Sequence, residues 1–478
     1  MTTFTKEQQA LIYCDDSEIY VNAKAGTGKT TTLIEFTKQR PADIFLYLVY
    51  NRKNKIEAEK KFLYGNVKIE TIHSLAYKYI GRKYAHKLSN NIKIFDVIYN
   101  IEMLRNAYEA DKTNFEVFLI ASNIIECLEL FFNKAYDSIE DTSSAFPKQI
   151  IQMADEYFQK MIDIEDEKVK LTHNGYLKLF QLQNPKLNYD YILVDEAQDS
   201  NEIMLSIVQQ SNAKKVFVGD EYQAIYGFRH NVNIFNLKGK DTTELFLTKS
   251  FRFGESIAFY ANVLNQTFRE NPIMVQGNDS IKDLVFDAPE RSITDRQYTV
   301  LTRTNAHLFD LAARYALLNK TIFIVGEQEI FQELLDAMHL YNGELHKIKN
   351  PTILEFKNFE KLRQVAQNST DPELKFLVKV VEKYEENIAN IIHKIQSQTI
   401  KEVYADITLC TAHKSKGLEW YNVILGTDFP ELLNKEGQVK TLEEIDIEEI
   451  NLLYVAITRA MERLYLNDTI SDFFNKVL

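Results

Sequence analysis

The sequence predicts an α/β protein with two parallel sheets and mainly helical insertions. Short apolar runs that end in Gly, Asp or Thr and then give way to a helical pattern recur along the chain, which is typical of strand-loop-helix units in a parallel sheet. These runs form two sets, one on each side of Leu247. At roughly 100–200 residues per domain, a chain of 478 residues is long enough for several packed units.

The predicted strands are the short apolar runs themselves. The strands of the first set are predicted at residues 19–23, 44–50, 191–194 and 216–218. Those of the second set are predicted at residues 298–302, 322–325, 407–411, 423–426 and 463–466. Apolar residues recur at helical period in two further stretches, about residues 82–186 and about residues 326–404.

Each sheet lobe is therefore expected to carry one helical insertion. The first lobe is predicted at residues 1–82 and 187–246, with a helical insertion at 83–186. The second lobe is predicted at residues 247–326 and 405–478, with a smaller helical insertion at 327–404. The acidic run at residues 443–449 is interpreted as the solvated start of a helix.

Charge and cysteine content exclude several classes of protein. Fifty-six basic and 68 acidic residues give a net charge of −12, so a polyanion must be held by a local cleft rather than by a global basic field. Cys14, Cys127 and Cys410 form no C-x-x-C pair, which indicates neither a disulfide framework nor a structural zinc site. The N-terminus lacks a signal-peptide pattern. We expect an intracellular protein without a membrane partner, cytoplasmic or, in a eukaryote, nuclear.

A glycine-rich segment, AKAGTGKTT at residues 23–31, follows a predicted strand and precedes a helical run. In that context backbone N–H groups can surround phosphate oxygens, Lys29 can reach the terminal phosphates and the Thr30 hydroxyl can ligate magnesium. The strict pattern has Gly where Ala23 stands, which matters little if Ala23 keeps a negative φ. The predicted phosphate-binding residues are Ala25, Gly26, Thr27, Gly28, Lys29, Thr30 and Thr31.

Two carboxylates follow the strand at residues 191–194, at the sheet edge where open α/β sheets bind ligands. Asp195 suits the coordination shell of magnesium, and Glu196 suits the base that activates a water molecule. Phosphoryl transfer also needs cations that neutralise the transferring group. Arg252 and Arg459 are the candidates, although each taken alone could equally be a surface or salt-bridge arginine.

Ten segments in order along residues 4–460 resemble the motifs of the superfamily 1, UvrD-like DNA helicases. They are FTKEQ, AKAGTGKTT, VYN, TIHS, DEAQD, GDEYQAIYGFR, SFRF, LTRTN, TAHKSKGLEW and LLYVAITRA. The amino-acid sequence of several segments, among them THNGYLKLFQL, resembles that of the F-box DNA helicase group. The series begins at Phe4, so we expect no F-box and no ubiquitin-ligase adaptor segment. The resemblance implies two RecA-like lobes, 1A and 2A, with a helical insertion 1B and a reduced insertion 2B.

The resemblance also implies the nucleotide and the residues that hold it. ATP with Mg²⁺ is expected as the ligand, with Gln8 reading the adenine and Phe251 beside the base. Gln223 is expected to sense the γ-phosphate, which Arg252 and Arg459 also contact. Glu419 is expected to hold the ribose. Asn174 stands where many relatives carry Asp, so no role is assigned to it.

A motor that moves along any strand needs contacts that tolerate every base, and stacking on aromatic rings supplies about 1–3 kcal/mol per base. Tyr226 and Phe228, at i and i+2 beside Arg229, fit that demand if the segment is extended. The resemblance adds further strand-contacting or coupling positions, namely Tyr50, Asn51, Thr71, His73, Arg303, Asn305, Thr411 and His413. From the residues alone, both histidines could equally be structural, and Lys414 and Lys416 could be solvated.

These observations leave three functions open. The first is a 3′-to-5′ single-stranded DNA translocase or helicase in DNA repair or recombination control, acting on single strands or tailed duplex. The second is a remodeller that strips recombinase filaments or single-strand-binding proteins without efficient unwinding. The third is a non-motor ATP-binding switch, whose signature would be the loss of Glu196 or of an arginine finger, and the sequence has both.

Overall fold

The computed structural model describes residues 3–49, 51–112, 114–227, 232–236, 239, 242–287, 297–326, 328–368 and 372–478. Contacts between residues divide the chain into two compact units. The first unit comprises Met1–Ala23, Gly28–Glu221 and Tyr226–Leu247. The second unit comprises Lys24–Thr27, Tyr222–Ile225 and Thr248–Leu478, so two short segments from the N-terminal half pack with the C-terminal half.

The strands, in chain order, are β1 Glu18–Ala23, β2 Phe45–Val49, β3 Val67–Thr71, β4 Leu88–Ser89, β5 Leu171–Thr172, β6 Tyr191–Asp195, β7 Lys214–Gly219, β8 Thr243–Leu247, β9 Leu284–Phe286, β10 Tyr298–Thr302, β11 Ile322–Ile324, β12 Ile407–Thr411, β13 Trp420–Leu425 and β14 Ala460–Tyr465. Each unit contains one six-stranded sheet, ordered β3-β2-β6-β7-β1-β8 in the first and β11-β12-β10-β13-β14-β9 in the second. Within both sheets, every described pairing of neighbouring strands is parallel.

The α-helices are α1 Lys6–Ile12, α2 Lys29–Lys38, α3 Arg52–Lys61, α4 Ile72–Tyr79, α5 Ile94–Asn100, α6 Glu102–Ala110, α7 Phe115–Asn133, α8 Lys148–Ile162, α9 His173–Leu182, α10 Glu202–Gln209, α11 Glu255–Phe268, α12 Asn305–Leu317, α13 Gln328–Tyr341, α14 Pro351–Glu355, α15 Phe359–Asn368, α16 Pro372–Tyr384, α17 Ile388–Gln398, α18 Ile447–Ile457 and α19 Asp468–Val477. Helices α5 to α9 lie in the first predicted insertion, and α13 to α17 lie in the second. The α/β class with two parallel-sheet, RecA-like lobes and mainly helical insertions is confirmed.

Burial explains why the central strands were recognisable in the sequence. All five residues of β2 are buried, as are five of the six residues of β1, because both faces of an inner parallel strand are covered. Each of the nine predicted strands lies within one observed strand or overlaps it closely. Two of them, at residues 298–302 and 407–411, match the observed bounds, and the ends of the others differ by at most three residues, which is the usual uncertainty of strand boundaries.

Three sheet strands were not predicted, and all three lie at sheet edges. Strand β3 ends the first sheet on one side and β8 ends it on the other, while β9 ends the second sheet. Among their residues only Ile69, Glu70 and Leu247 are buried, so none of these three strands is buried throughout. The apolar-run criterion therefore finds inner strands better than edge strands.

Within the described ranges, no helix combines the length and the apolar character that a membrane crossing requires.

Candidate functional site

The phosphate-binding turn lies where the sequence predicts it, between the end of β1 at Ala23 and the start of α2 at Lys29. Gly26 and Gly28 have φ values of +74° and +77°, which L side chains adopt only with strain. Gly28 is the N-cap of α2 and makes no side-chain cap, so the first N–H groups of this ten-residue helix can face a bound anion. The turn thus has the backbone geometry of a phosphate-binding loop.

Lys29 and Glu196 meet beside this turn. The distance from Nζ of Lys29 to Oε1 of Glu196 is 3.5 Å, and the two side chains are 13% and 20% exposed. Glu196 has φ +53° and ψ +45°, a left-handed conformation that costs a non-glycine residue about 1 kcal/mol or more. Strain of this kind clusters at functional sites, and here it directs a carboxylate towards the loop lysine.

The carboxylate of the neighbouring residue, Asp195, is held by two hydrogen bonds. Its Oδ2 accepts a hydrogen bond of 2.5 Å from the Tyr47 hydroxyl, and its Oδ1 accepts one of 3.0 Å from the backbone N–H of Glu196. The Thr30 hydroxyl also hydrogen-bonds with Tyr47. Burial, followed by the neighbouring charge of Glu196, raises the pKa of Asp195 to about 6. A cation at this point would therefore stabilise its ionised form.

The residues fit a magnesium ion that also takes phosphate ligands. Among the described residues, no group of three or more His, Cys, Asp or Glu side chains could hold a metal ion by itself. Mg²⁺ in nucleotide sites is usually bound by one or two protein oxygens together with waters and phosphates. The Thr30 hydroxyl and the Asp195 carboxylate, joined through Tyr47, match that donor set.

Gln198 orients the Glu196 carboxylate, a role that the sequence did not suggest although Gln198 belongs to the DEAQD segment. Its Nε2 donates to Oε2 of Glu196 at 2.6 Å, while its Oε1 accepts from the N–H of Asp220 at 3.0 Å. A Cβ atom on Gly219 would lie 2.2 Å from that Oε1. Only glycine at the end of β7 therefore leaves room for the bridge that fixes the carboxylate.

In the second unit, the segment that carries Arg252 contacts the phosphate-binding turn. The N–H of Phe251 donates to the carbonyl oxygen of Gly26 at 2.7 Å. A Cβ atom on Gly26 would lie 2.6 Å from Oγ of Ser250 and 2.7 Å from Cβ of Arg252. Gly26 is thus required both by its positive φ and by this close approach.

Arg252 and Glu419, predicted to contact the γ-phosphate and the ribose, contact each other. Nε of Arg252 donates to Oε2 of Glu419 at 2.7 Å, and its Nη1 donates to the carbonyl oxygen of Thr458 at 3.1 Å. The Glu419 side chain is 49% exposed and that of Arg252 is 14% exposed. The guanidinium is therefore held by a partner that solvent reaches.

Arg459 and Gln223 also lie together in the second unit. Nη2 of Arg459 is 3.3 Å from Oε1 of Gln223, and its Nε donates to the carbonyl oxygen of Val455 at 3.0 Å. Arg459 is only 1% exposed. Nζ of Lys416 donates to the backbone oxygen of Gln223 at 2.7 Å. The two residues predicted to sense and neutralise the γ-phosphate are thus adjacent and fixed by backbone contacts.

A tyrosine ring between two cations joins both short segments of the second unit. Nζ of Lys24 lies 3.3 Å from the centroid of the Tyr222 ring, and Cζ of Arg269 lies 4.4 Å from it. The Tyr222 hydroxyl accepts from the N–H of Ile273 at 2.8 Å. The edge of the ring packs against Tyr454 of α18, with centroids 5.7 Å apart. This cluster fixes the start of the phosphate-binding turn against the segment that carries Gln223.

The remaining predicted nucleotide contacts differ in their environment. Gln8 is buried, and its Oε1 accepts from the N–H of Thr5 as part of the capping box of α1. Phe251 is 46% exposed, as a ring that stacks on a base must be. Thr31 is exposed, whereas Ala25 and Thr27 are buried. Their nucleotide contacts remain predictions.

The predicted strand contacts of the first unit lie at helix starts. Asn51 caps α3 by accepting from the N–H of Asn54 at 2.9 Å, and Thr71 caps α4 by accepting from the N–H of Ser74 at 3.0 Å. Nε2 of His73 is 3.0 Å from Oδ1 of Asn174. Tyr226 is partly buried. Predictions for three further positions lie outside the described residues, namely Tyr50, Phe228 and Arg229.

The predicted strand contacts of the second unit include one strong ion pair. Arg303 binds Glu449 through Nε at 3.0 and 2.8 Å and through Nη2 at 2.5 Å, and this partner raises the pKa of the guanidinium. The acidic run is therefore not simply solvated. Asn305 starts α12 with its Oδ1 buried and unpartnered. Thr411 is buried at the end of β12, and His413 is partly buried.

Comparison with known proteins agrees with this arrangement of motifs. A model of the UvrD/REP helicase N-terminal domain matches residues 4–243. The F-box DNA helicase protein 1 of Schizosaccharomyces pombe is 32% identical over 525 residues, covering 98% of this chain and 58% of that protein. The F-box DNA helicase 1 of Gallus gallus is 29% identical over 493 residues, covering 95% of this chain and 47% of that protein.

A bacterial relative is matched over most of its own length. The probable DNA helicase II homolog of Mycoplasma pneumoniae is 25% identical over 616 residues, covering 97% of this chain and 84% of that protein. The chain spans only about half the length of the two F-box helicases. Because the family model covers half of the 478 residues, the chain belongs to the UvrD/REP helicase family.

Proposed function

We propose that this chain is an ATP-driven motor that translocates 3′-to-5′ along single-stranded DNA and acts as a helicase. The observation that carries the proposal is the 3.5 Å contact between Lys29 and Glu196, which joins the phosphate-binding turn to the acidic motif. Such a pair is what hydrolysis of a triphosphate requires. Family membership and relatives named as DNA helicases support the coupling of that hydrolysis to DNA.

Glu196 is the proposed general base. It would accept a proton from the water whose oxygen attacks the γ-phosphorus, while the bond from that phosphorus to the bridging oxygen of ADP breaks. In the structure Lys29 neutralises this carboxylate. Phosphate oxygens would compete for Lys29, so ATP binding would itself release the base.

Arg252 and Arg459 are the proposed cations for the transferring phosphoryl group, and Gln223 is the proposed sensor of its presence. An arginine finger is worth about 10³–10⁵ in rate. Magnesium at Thr30 and Asp195 would neutralise phosphate charge when bound. We propose that hydrolysis needs these residues in addition to Lys29 and Glu196.

The proposed strand path uses residues that tolerate any base. Tyr226 would stack on bases, and Arg303 would exchange its Glu449 partner for a phosphate. Since the net charge is −12, strand affinity is expected to fall steeply with salt, with a slope near 0.7 per phosphate neutralised. The proposed partners are single-stranded DNA and tailed duplexes inside the cell, with protein-coated strands as an alternative substrate.

The test is strand-stimulated ATP hydrolysis by the purified chain. Rates are measured alone, with single-stranded DNA and with single-stranded RNA, for the wild type and for Glu196→Gln. We expect DNA to stimulate the wild type, and Glu196→Gln to lose about 10²–10⁴ in rate while still binding ATP. Glu167→Gln, at an exposed glutamate of the first unit, is the matched control and should keep the wild-type rate.

Four outcomes would change the proposal. Full activity of Glu196→Gln would exclude Glu196 as the base. Hydrolysis that no strand stimulates would favour an ATP-binding switch over a motor. Displacement of protein from single strands without separation of 3′-tailed duplexes would favour the remodeller, and unwinding of only 5′-tailed duplexes would reverse the polarity.

A further inference from the structure

A chain of side-chain hydrogen bonds runs through the first unit from His73. Nε2 of His73, in the first turn of α4, is 3.0 Å from Oδ1 of Asn174 in α9. Nδ2 of Asn174 donates to Oε2 of Glu129 in α7 at 3.3 Å. Three helices that are distant in sequence are thus connected by side chains rather than by backbone.

The chain continues to the start of α10. Nδ2 of Asn133 donates to the carbonyl oxygen of Glu129 at 2.8 Å and to its Oε2 at 3.4 Å. Oδ1 of Asn133 accepts from Nδ2 of Asn201 at 2.8 Å. Oδ1 of Asn201 caps α10 by accepting from the N–H of Met204 at 3.0 Å. The last member is therefore bound to the backbone of a helix.

When Glu129 is ionised, the direction of every bond in this chain is determined. An ionised carboxylate only accepts, so both Asn174 and Asn133 must turn their NH₂ groups to Glu129. Asn174 then presents its oxygen to His73, whose Nε2 must carry the proton. At the other end, the N–H of Met204 only donates, which fixes the orientation of Asn201. A change at either end cannot be absorbed by flipping one amide.

The two ends of this chain lie at different parts of the proposed motor. His73 belongs to the TIHS segment, which is proposed to contact or couple to the DNA strand. Asn201 follows the acidic segment that ends at Asp199 and contains Glu196. The helices that carry the chain pack on one another, with α7 against both α9 and α10. A displacement of the His73 ring would thus reach the turn that carries the proposed base.

We propose that Asn174, Glu129 and Asn133 form a relay of positioning residues through which strand contact near His73 accelerates ATP hydrolysis. The inference rests on the proposed function and adds the route of its regulation. The essential feature is that Asn174 accepts from the imidazole and donates to the carboxylate at the same time. A residue that can do only one of these would interrupt the relay.

The test exchanges the two functional groups. Asn174→Asp keeps an acceptor for His73 but places a second carboxylate against Glu129. The double variant Asn174→Asp, Glu129→Gln restores a donor and an acceptor at the contact between these two residues and the same total charge. Asn133 keeps its shorter bond, the 2.8 Å donation to the carbonyl oxygen of residue 129. We expect Asn174→Asp to lower the maximal stimulation by single-stranded DNA about tenfold, with the strand-free rate within about twofold of wild type. The double variant should recover most of the stimulation.

Two controls make the result specific. Asn90→Asp introduces the same charge at an exposed asparagine of the first unit and should behave as wild type. Thermal unfolding of each variant shows whether it folds, and Asn174→Ala replaces Asn174→Asp if that variant does not. With Asn174→Ala, the loss of stimulation should appear without any added charge.

The outcomes separate the relay from the motor. A wild type that strands stimulate, with Asn174→Asp and Asn174→Ala stimulated equally well, would overturn the relay alone. A double variant no better than Asn174→Asp would also overturn it, because restored hydrogen bonding would then not matter. A wild type that no strand stimulates would overturn the proposed function, and the relay with it.

Discussion

Nε of Arg252 donates to Oε2 of Glu419 at 2.7 Å, although these residues are predicted to contact opposite ends of one nucleotide. The ion pair is partly exposed to solvent, since the Glu419 side chain is 49% exposed. A pair of this exposure contributes little to stability, about 0–1 kcal/mol. Its significance is therefore positional, because it holds the guanidinium of Arg252 in one place until a stronger anion competes for it.

Arg252 and Glu419 should affect different kinetic constants. Arg252→Ala should lower the strand-stimulated kcat by about 10³ or more, because the transferring phosphoryl group loses a cation. Glu419→Gln should mainly raise the KM for ATP, because an interaction with the ribose is equally present before and during the reaction. Steady-state kinetics over a range of ATP concentrations separates the two. If Arg252→Ala kept a kcat within about threefold of wild type, Arg252 would be excluded as an arginine finger.

Gly26 should be intolerant of any side chain, beyond the effect of its positive φ. Gly26→Ala adds a Cβ 2.6 Å from Oγ of Ser250 and 2.7 Å from Cβ of Arg252, whereas a Cβ on Gly437, at φ +72°, meets nothing within 4 Å. Both substitutions cost about 1–2 kcal/mol in the left-handed region. Only Gly26→Ala should also weaken binding of a non-hydrolysable ATP analogue, measured by calorimetry. Equal affinities for the two variants would contradict this.

The Lys24 to Tyr222 contact should be measurable as a coupling energy. A buried cation over a tyrosine face is worth up to about 2 kcal/mol. Lys24→Met, Tyr222→Leu and the double variant form a cycle whose unfolding free energies give that coupling. Tyr222→Phe keeps the ring and loses only the hydroxyl that accepts from Ile273, so it should retain the coupling to Lys24. A coupling energy of zero would show that the contribution of the Tyr222 ring to stability does not depend on the Lys24 cation.

Stability should depend on pH through Lys178 of α9. Its ammonium is buried, donating to the carbonyl oxygen of Lys134 at 3.1 Å and to Oε1 of Gln181 at 2.9 Å, and burial lowers its pKa from 10.5 to about 8. Between these values the unfolded chain holds a proton that the folded chain has lost, so this group's contribution to stability rises with pH. The contribution of Lys178 to the stability of the fold is least favourable below pH 8.

Denaturant unfolding of the wild type and of Lys178→Met isolates that contribution, because other titrating groups are common to both. The free energy of unfolding of the wild type minus that of the variant should increase between pH 8 and pH 10. A difference that is constant or falls over this range would mean that the carbonyl acceptors keep the amine protonated in the folded chain.

The sequence predicted every inner strand and one edge strand, β11, and missed the other three edge strands, for a physical reason. An inner strand such as β1 is covered on both faces and must be apolar throughout, which is visible in a single sequence. An edge strand such as β3 needs only part of its surface buried. It even includes Glu70, whose carboxylate is buried with Lys55 and Lys78 as partners. A charged residue at such a position interrupts the apolar run by which inner strands are recognised.

Motifs indicated the candidate residues of the site but not the contacts that support them. Lys29 and Glu196 could be assigned because their chemistry follows from residue type and from their place after a strand. Gln198 lies within a recognised segment, yet nothing in its spacing shows that it bridges Glu196 and the backbone of Asp220. Arg269 had no sequence signal, since its contact with Tyr222 depends on the packing of α11.

The left-handed backbone of Glu196 creates a trade-off at one position between the stability of the fold and the proposed rate of ATP hydrolysis. Glycine there would relax the chain and stabilise the fold by up to about 1 kcal/mol, while removing the carboxylate that hydrolysis is proposed to need. A screen for heat resistance alone would therefore favour an inert protein. Engineering a more stable motor from this chain would therefore require selection for activity rather than for thermal stability alone.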